Sequence, residues 1–314
     1  MRRLLIIFLC VAVVFDIIAQ QDPQYSHYMF NNMAVNPGYA GSQEAICLTA
    51  VHRQQWVGFP GAPVTSVFTV HTPFRLFGAE HGFGLKVMND KLGFDQNVSV
   101  KLNYAYKLPL GPGKLGIGVS GMFLNKALNA EWKPPGGGSW EQDPSIPAPN
   151  ESVTGYDMGL GIFYRAERVY MGVSTTHLLQ SGLPYANPGS NYRLIRHYYA
   201  TAGAVLPLLG NPAWEVAPSV MAYSDGTVTH FSGNVNVIYN GKVWGGMGYR
   251  ISSIVAMVGF DLFNGVKIGY AFDYTHTSMK NHFSAGGSHE LMINYCFNLV
   301  KERVVKGYRS VRYL

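Results

Sequence analysis

The chain is expected to fold as an all-β, closed antiparallel transmembrane β-barrel of about 14 strands, with an N-terminal periplasmic arm and a short basic C-terminal tail. Three observations predict it. An export signal opens the sequence and nothing after residue 20 approaches the roughly 20 consecutive apolar residues of a spanning helix. The chain carries 20 Tyr, 17 Phe and 36 Gly with only 13% charged residues, a balance unusual for a soluble domain. Segment after segment alternates with a period of two, as a wall between lipid and a lumen requires.

In the leader, Arg2 and Arg3 precede an apolar run from Leu4 to Ile18, interrupted by Asp16 and followed by the small residue Ala19. This pattern predicts a secretory signal over residues 1–19, cleaved after Ala19; a retained signal anchor is the alternative. Cys10 lies inside the apolar run, which argues against a lipoprotein. Taking Arg2, Arg3 and Asp16 away from 24 basic and 18 acidic residues leaves 22 and 17, a mature charge of +5.

Residues 20–42 form an arm too polar to span a bilayer and too rich in turn residues for one regular element. Asn36-Pro37-Gly38 should turn, since Pro37 fixes its own φ and Gly38 permits φ > 0. Tyr25, Tyr28, Phe30 and Tyr39 need a surface to pack on. The arm is expected at the periplasmic mouth or partly inside the lumen, with these rings against the wall.

The barrel is expected over residues 43–298. Val266, Ile268, Tyr270, Phe272 and Tyr274 form one face of a strand; Lys267, Gly269, Ala271, Asp273 and Thr275 form the other. Val98 to Tyr106 alternates in the same way against Ser99 to Lys107. A helix would scatter these charges around its circumference, whereas a strand gathers them on one side. Strands are expected near 43–57, 63–73, 81–90, 93–108, 113–127, 153–166, 168–180, 195–207, 212–224, 227–239, 242–250, 253–263, 265–276 and 284–298. An even count puts both termini in the periplasm, with tight turns such as Leu110 to Gly113 and Asn240-Gly241 on that side. Phe74 to Glu80 reads as a looser turn. The long connections 128–152 and 181–194 fall outside. The first, with Trp132, Pro134 and Trp140, is either a solvated loop or a partner contact. Residues 299–314 form a basic periplasmic tail, solvated or directed at an acidic partner.

Cys47 and Cys296 face the lumen on the first and last strands, which a closed barrel pairs. They are within disulfide reach if the register brings them opposite; a shift of two residues leaves both as free thiols. Arg53, Lys86, Lys101, Lys107, Lys267, Asp273 and Glu290 also face inward.

Catalytic patterns are missing. Gly118-Val119-Ser120-Gly121 lacks the spacing of a nucleophile elbow. Ser288-His289-Glu290 places neighbours on opposite faces of a strand, where they cannot form a relay. No histidine pair has metal-ligand spacing beside a Cys or acidic cluster, so no metal or other cofactor is expected. The basic excess lacks the clustering that nucleic-acid binding wants.

Asp22-Pro23-Gln24-Tyr25-Ser26, Tyr28-Met29-Phe30-Asn31 and Asn36 to Ser42 resemble the PorP/SprF family of type IX secretion system outer-membrane proteins. Arg53 to Trp56, Gly61 to Thr65, His71-Thr72-Pro73, Asn89 to Gly93 and Gly287 to Leu291 extend the resemblance over nearly the whole mature chain. Gly38 departs from it: the family is expected to carry Ala there more often, and the turn should tolerate either. The resemblance implies a non-catalytic, multi-pass protein of the cell outer membrane in Bacteroidota, acting in type IX secretion and gliding. Its implied partners are the C-terminal domain of a large secreted surface protein such as an adhesin, periplasmic machine components and outer-membrane lipid. Tyr25, Tyr28, Phe30, Asn36, Pro37 and Tyr39 of the arm, with Trp132, Pro134 and Trp140 of the outer loop, are the expected contacts. A porin or small-solute transporter lined by the inward lysines is the alternative.

Overall fold

The computed structural model describes residues 22–130, 148–185, 192–208, 210–262, 265–276 and 287–297. The expected leader, the loop residues Trp132, Pro134 and Trp140, and the basic tail lie outside the described residues. Among the described residues no helix is long and apolar enough to cross a membrane, which says nothing of spanning by strands.

Alternation of apolar and small or polar residues drives the chain into long antiparallel strands. They are β1 (Ile46–Gln54), β2 (Val64–Leu76), β3 (Ala79–Leu92), β4 (Asp95–Leu110), β5 (Gly113–Leu128), β6 (Glu151–Arg165) and β7 (Val169–Thr176). Strand β8 is broken at Val205 into His197–Ala204 and Leu206–Leu208. The rest are β9 (Asn211–Ser224), β10 (Thr229–Tyr239), β11 (Val243–Arg250), β12 (Ser253–Asp261), β13 (Val266–Thr275) and β14 (Ser288–Phe297). Each pairs antiparallel with its sequence neighbours, and β1 pairs with β14, so the ring of 14 strands closes.

The two faces differ as lipid and lumen demand. On β4, Val98, Val100, Leu102, Tyr104, Tyr106 and Leu108 point outward and are exposed, while Ser99, Lys101, Asn103, Ala105 and Lys107 point inward and are buried. On β13 and β14, Tyr270, Tyr274, Leu291 and Ile293 face out, and Ala271, Asp273, Glu290 and Met292 face in.

The two ends differ too. At the end where β1 begins, no connection is longer than four residues, whereas the other end carries the long connections between β5 and β6, β7 and β8, and β13 and β14. Several boundaries depart from the sequence expectation by a few residues, β1 running only from Ile46 to Gln54, and two departures have a visible cause. The turn read as loose is a two-residue hairpin, because Phe77 and Gly78 both adopt positive φ (51° and 79°) and extend β2 and β3 toward each other. A phenylalanine in that conformation gives no turn signal. Strand β7, expected to run to residue 180, ends at Thr176, because His177 turns to φ 53° and swings its imidazole inward.

Cys47 and Cys296 stand opposite each other in the β1–β14 ladder, with Cα atoms 4.1 Å apart and a disulfide between them. Zero offset, rather than the two-residue slip that would separate them, joins the first strand to the last.

Candidate functional site

The arm occupies the lumen, leaving a cavity of about 310 Å³ between Met29, Phe30 and Tyr39 and the wall toward the short-turn end. Residues 22–42 cross it as three single turns of 3₁₀ helix, Tyr28–Phe30, Asn32–Ala34 and Pro37–Tyr39. Asp22 lies at the long-loop end beside Thr176, His177 and Tyr199, and Gln43 and Glu44 leave at the short-turn end beside β1. The rings expected to need a wall have one. Tyr25, Tyr28 and Tyr39 keep only 3–4% of their surface exposed. Tyr25 packs among Val51, Val67 and Met88, Phe30 lies 4.9 Å from Trp244, and Tyr39 meets Phe163 edge-on at 4.9 Å.

Near the long-loop end, Ser26 and His27 sit on a buried cluster of four charges. Arg53 Nη2 reaches Asp273 Oδ2 at 2.6 Å, Arg53 Nη1 reaches Glu290 Oε2 at 3.2 Å, and Arg250 Nη1 reaches Asp273 Oδ2 at 3.3 Å. The arm completes the set. The amides of Ser26 and His27 donate to the two Glu290 oxygens at 2.8 and 2.7 Å. The Ser26 hydroxyl donates to Asp273 at 2.7 Å while accepting from Arg53 and Arg250, both at 2.9 Å. Charges this deep are tolerable only when every lone pair and proton is matched. The arm supplies most of that matching, with Arg53 Nε left without a partner, so these residues hold the plug rather than line a channel.

The inward lysines follow suit. Lys86 Nζ donates to the Ala34 carbonyl at 3.1 Å, and Lys107 Nζ to the Gly38 carbonyl at 2.8 Å. Lys101 is buried within electrostatic range of Asp22 and Asp157. Lys267 differs: it is partly exposed at the short-turn end and pairs with Asp261 at 3.4 Å. A cation-lined open channel is therefore not what these side chains form when the arm is seated.

Toward the short-turn end the arm enters a groove of glycines. Asn36 caps its own turn by accepting from the Gly38 amide at 2.9 Å, and donates to the Ile162 and Val173 carbonyls at 3.0 and 3.2 Å. A Cβ on Gly116 or Gly118 would collide with the Gly38 backbone, and one on Gly82 with Ala40. Gly38 itself corrects the sequence expectation. It has no positive φ; that role falls to Gly41, at φ 67°. A Cβ at Gly38 would stand 2.7 Å from the Gly116 carbonyl oxygen and 2.9 Å from that of Gly161, so here the wall does not accept alanine without moving.

A second polar cluster joins the arm's first described residue to the loop end. Asp22 Oδ1 is 3.2 Å from His177 Nε2, and Asp22 Oδ2 accepts from Tyr199 and Thr176 at 2.7 and 3.1 Å. Burial by itself would lower the His177 pKa, but Asp22 and Asp157 hold it up to about 9. Burial likewise works to raise Asp22, yet His177 brings it well below the usual carboxylate value. His197 packs against His177 with ring centroids 5.9 Å apart.

Sequence reasoning found the arm's aromatic residues, Arg53, Asp273 and Glu290. It missed Ser26, His27, Arg250, Asp22, His177 and His197, whose partners lie far away in sequence. Asp22 and Ser26 were visible only as parts of the opening motif.

The Type IX secretion system membrane protein PorP/SprF family matches residues 17–295. No curated relative matches the chain. Among solved structures the chain is similar to the outer membrane protein Omp33 of Acinetobacter baumannii, at 8% identity over 81% of this chain and 99% of that one, with a TM-score of 0.43. It is also similar to the monoaromatic hydrocarbon channel CymD, at 11% identity over 85% and 93% of the two chains and a TM-score of 0.49. A third is CdiB from Acinetobacter baumannii, at 9% identity over 81% and 60%, with a TM-score of 0.42. These likenesses concern the fold alone. The family is a secretion-system membrane family rather than an enzyme family, and a closed barrel of this kind fits an outer-membrane location. With the family covering nearly all of a barrel whose opening motif is its own plug, the chain belongs to the PorP/SprF family of type IX secretion system membrane proteins.

Proposed function

We propose that the protein is a non-catalytic outer-membrane barrel of the type IX secretion and gliding pathway. It binds a large secreted surface protein, through that protein's C-terminal domain, and helps to export it or retain it at the cell surface. The observation that carries the reading is the family match along a barrel whose lumen is occupied by the chain's own arm. A lumen so filled is poorly suited to passing solutes, which weighs against the porin alternative.

The outside loops, with Trp132, Pro134 and Trp140, are the surface offered to the secreted partner. The tail, residues 299–314, is offered to the periplasmic machinery. The arm residues Tyr25, Tyr28, Asn36, Pro37 and Tyr39 are buried while seated, so their part is to hold the barrel closed, or to engage a partner only after leaving the lumen. The test is affinity purification of the native protein in mild detergent, with mass spectrometry of what accompanies it. Recovery of a large secreted protein or of type IX components is expected; their absence overturns the proposal.

A further inference from the structure

Three side chains with metal-ligand chemistry, remote from one another in sequence, meet at the long-loop end of the lumen. They are Asp22 of the arm, His177 just beyond β7 and His197 at the start of β8, and their ligand atoms all lie within 4.8 Å of one another. Asp22 Oδ1 and His177 Nε2 are 3.2 Å apart. Two corners of a tetrahedron with bonds of about 2.0 Å to zinc are separated by roughly 3.3 Å, so this edge is already formed.

The surroundings orient the ligands as a metal centre requires. His197 Nδ1 lies 2.9 Å from the Ile195 carbonyl oxygen, which fixes the hydrogen on that nitrogen and leaves a lone pair on the other. The Nδ1 of His177 is buried without a hydrogen-bond partner and faces Asp157 Oδ2 at 3.6 Å. Asp157 is itself held through Oδ1 by the amides of Met158 and Leu179, at 2.6 and 2.9 Å. At zinc sites a carboxylate in that place accepts the second ring N–H; Asp157 stands there, a few tenths of an ångström beyond hydrogen-bond distance. The hydroxyls of Tyr199 and Thr176 occupy Asp22 Oδ2, which leaves Oδ1 to the centre.

We propose that Asp22, His177 and His197 bind a divalent cation of the zinc class, with water as a fourth ligand, and so clasp the start of the arm to the barrel wall. Binding displaces the proton between His177 and Asp22 to solvent. Imidazole and carboxylate together suit zinc and cobalt better than calcium or magnesium. Lys86 and Lys101 face the cluster with the same sign as the cation and limit the affinity. The clasp joins the two histidines of the long loop's flanks to the arm, a role that does not depend on which partner the barrel serves.

The experiment uses the full mature chain without a polyhistidine tag, in detergent, stripped by a chelator and titrated with cobalt(II) chloride. One equivalent should produce the ligand-field absorption of four-coordinate cobalt(II), bleached by one equivalent of zinc(II), and should slow proteolysis of the arm. His177→Ala with His197→Ala should abolish the spectrum in a barrel that still shows heat-modifiable migration. Asp157→Asn should weaken binding about 10–100-fold. Absence of stoichiometric uptake by the unaltered chain overturns the proposal, as does full uptake by the double variant.

Discussion

At the scale of single residues, the plug is held by charges that have left water. Glu290 accepts two arm amides and faces Arg53 and His27, all without solvent, so Glu290→Gln removes a charge that its partners need. Breaking such a buried set costs about 3–5 kcal/mol. That loss is expected to appear as faster proteolysis of the arm, with barrel migration on gels unchanged. Ring titration should act on the other cluster in the metal-free chain. The His177 pKa is about 9 with the arm seated, above the ordinary 6.5. Its charge therefore supports seating fully below pH 6.5, and the support is lost as pH rises through about 9. Asp22 has the opposite sense: its lowered pKa gives support that is present above pH 3.8 and lost as pH falls further. Arm proteolysis is expected to accelerate as pH rises from about 6.5 through about 9 and to level off above that, and His177→Gln should remove that step while making the arm looser at neutral pH by a few kcal/mol, on the order of 3.

At the scale of elements, the strands were legible because their two faces meet different solvents, and the alternation at Val98 to Tyr106 or Val266 to Tyr274 records that difference directly. The glycines were legible only as small inward residues. Their purpose depends on where the arm lies, which no local pattern encodes. Gly118 in β5 shows the difference, since it has ordinary strand backbone and a valine there would favour the strand. The same valine would strike the backbone of Pro37 and Gly38. Gly118→Val should thus leave the barrel as stable as before or more so, while the arm becomes accessible to protease. The end of β7 was misread for a related reason: His177 leaves the strand in order to reach Asp22, a partner 155 residues away.

At the scale of the whole molecule, ring closure depends on register between the two strands farthest apart in sequence. Sequence alone left the pairing of Cys47 with Cys296 open, because a slip of two residues preserves every face while separating the sulfurs. The ladder settles it with both residues directly opposed. Conductance is the property that reads the assembled barrel. In planar bilayers the intact chain is expected to be silent, and deletion of residues 20–35 should open steps of stable conductance; an equally silent deletion would mean that other parts of the chain close the lumen. The direction of the arm carries one more consequence. Asp22 rests at the long-loop end, while the chain enters β1 at the other, so the described arm runs the length of the barrel from the long-loop end to the short-turn end. To leave by the short-turn mouth, the arm has to draw Asp22 back along the whole lumen, so unseating is a withdrawal rather than a swing of a hinged flap.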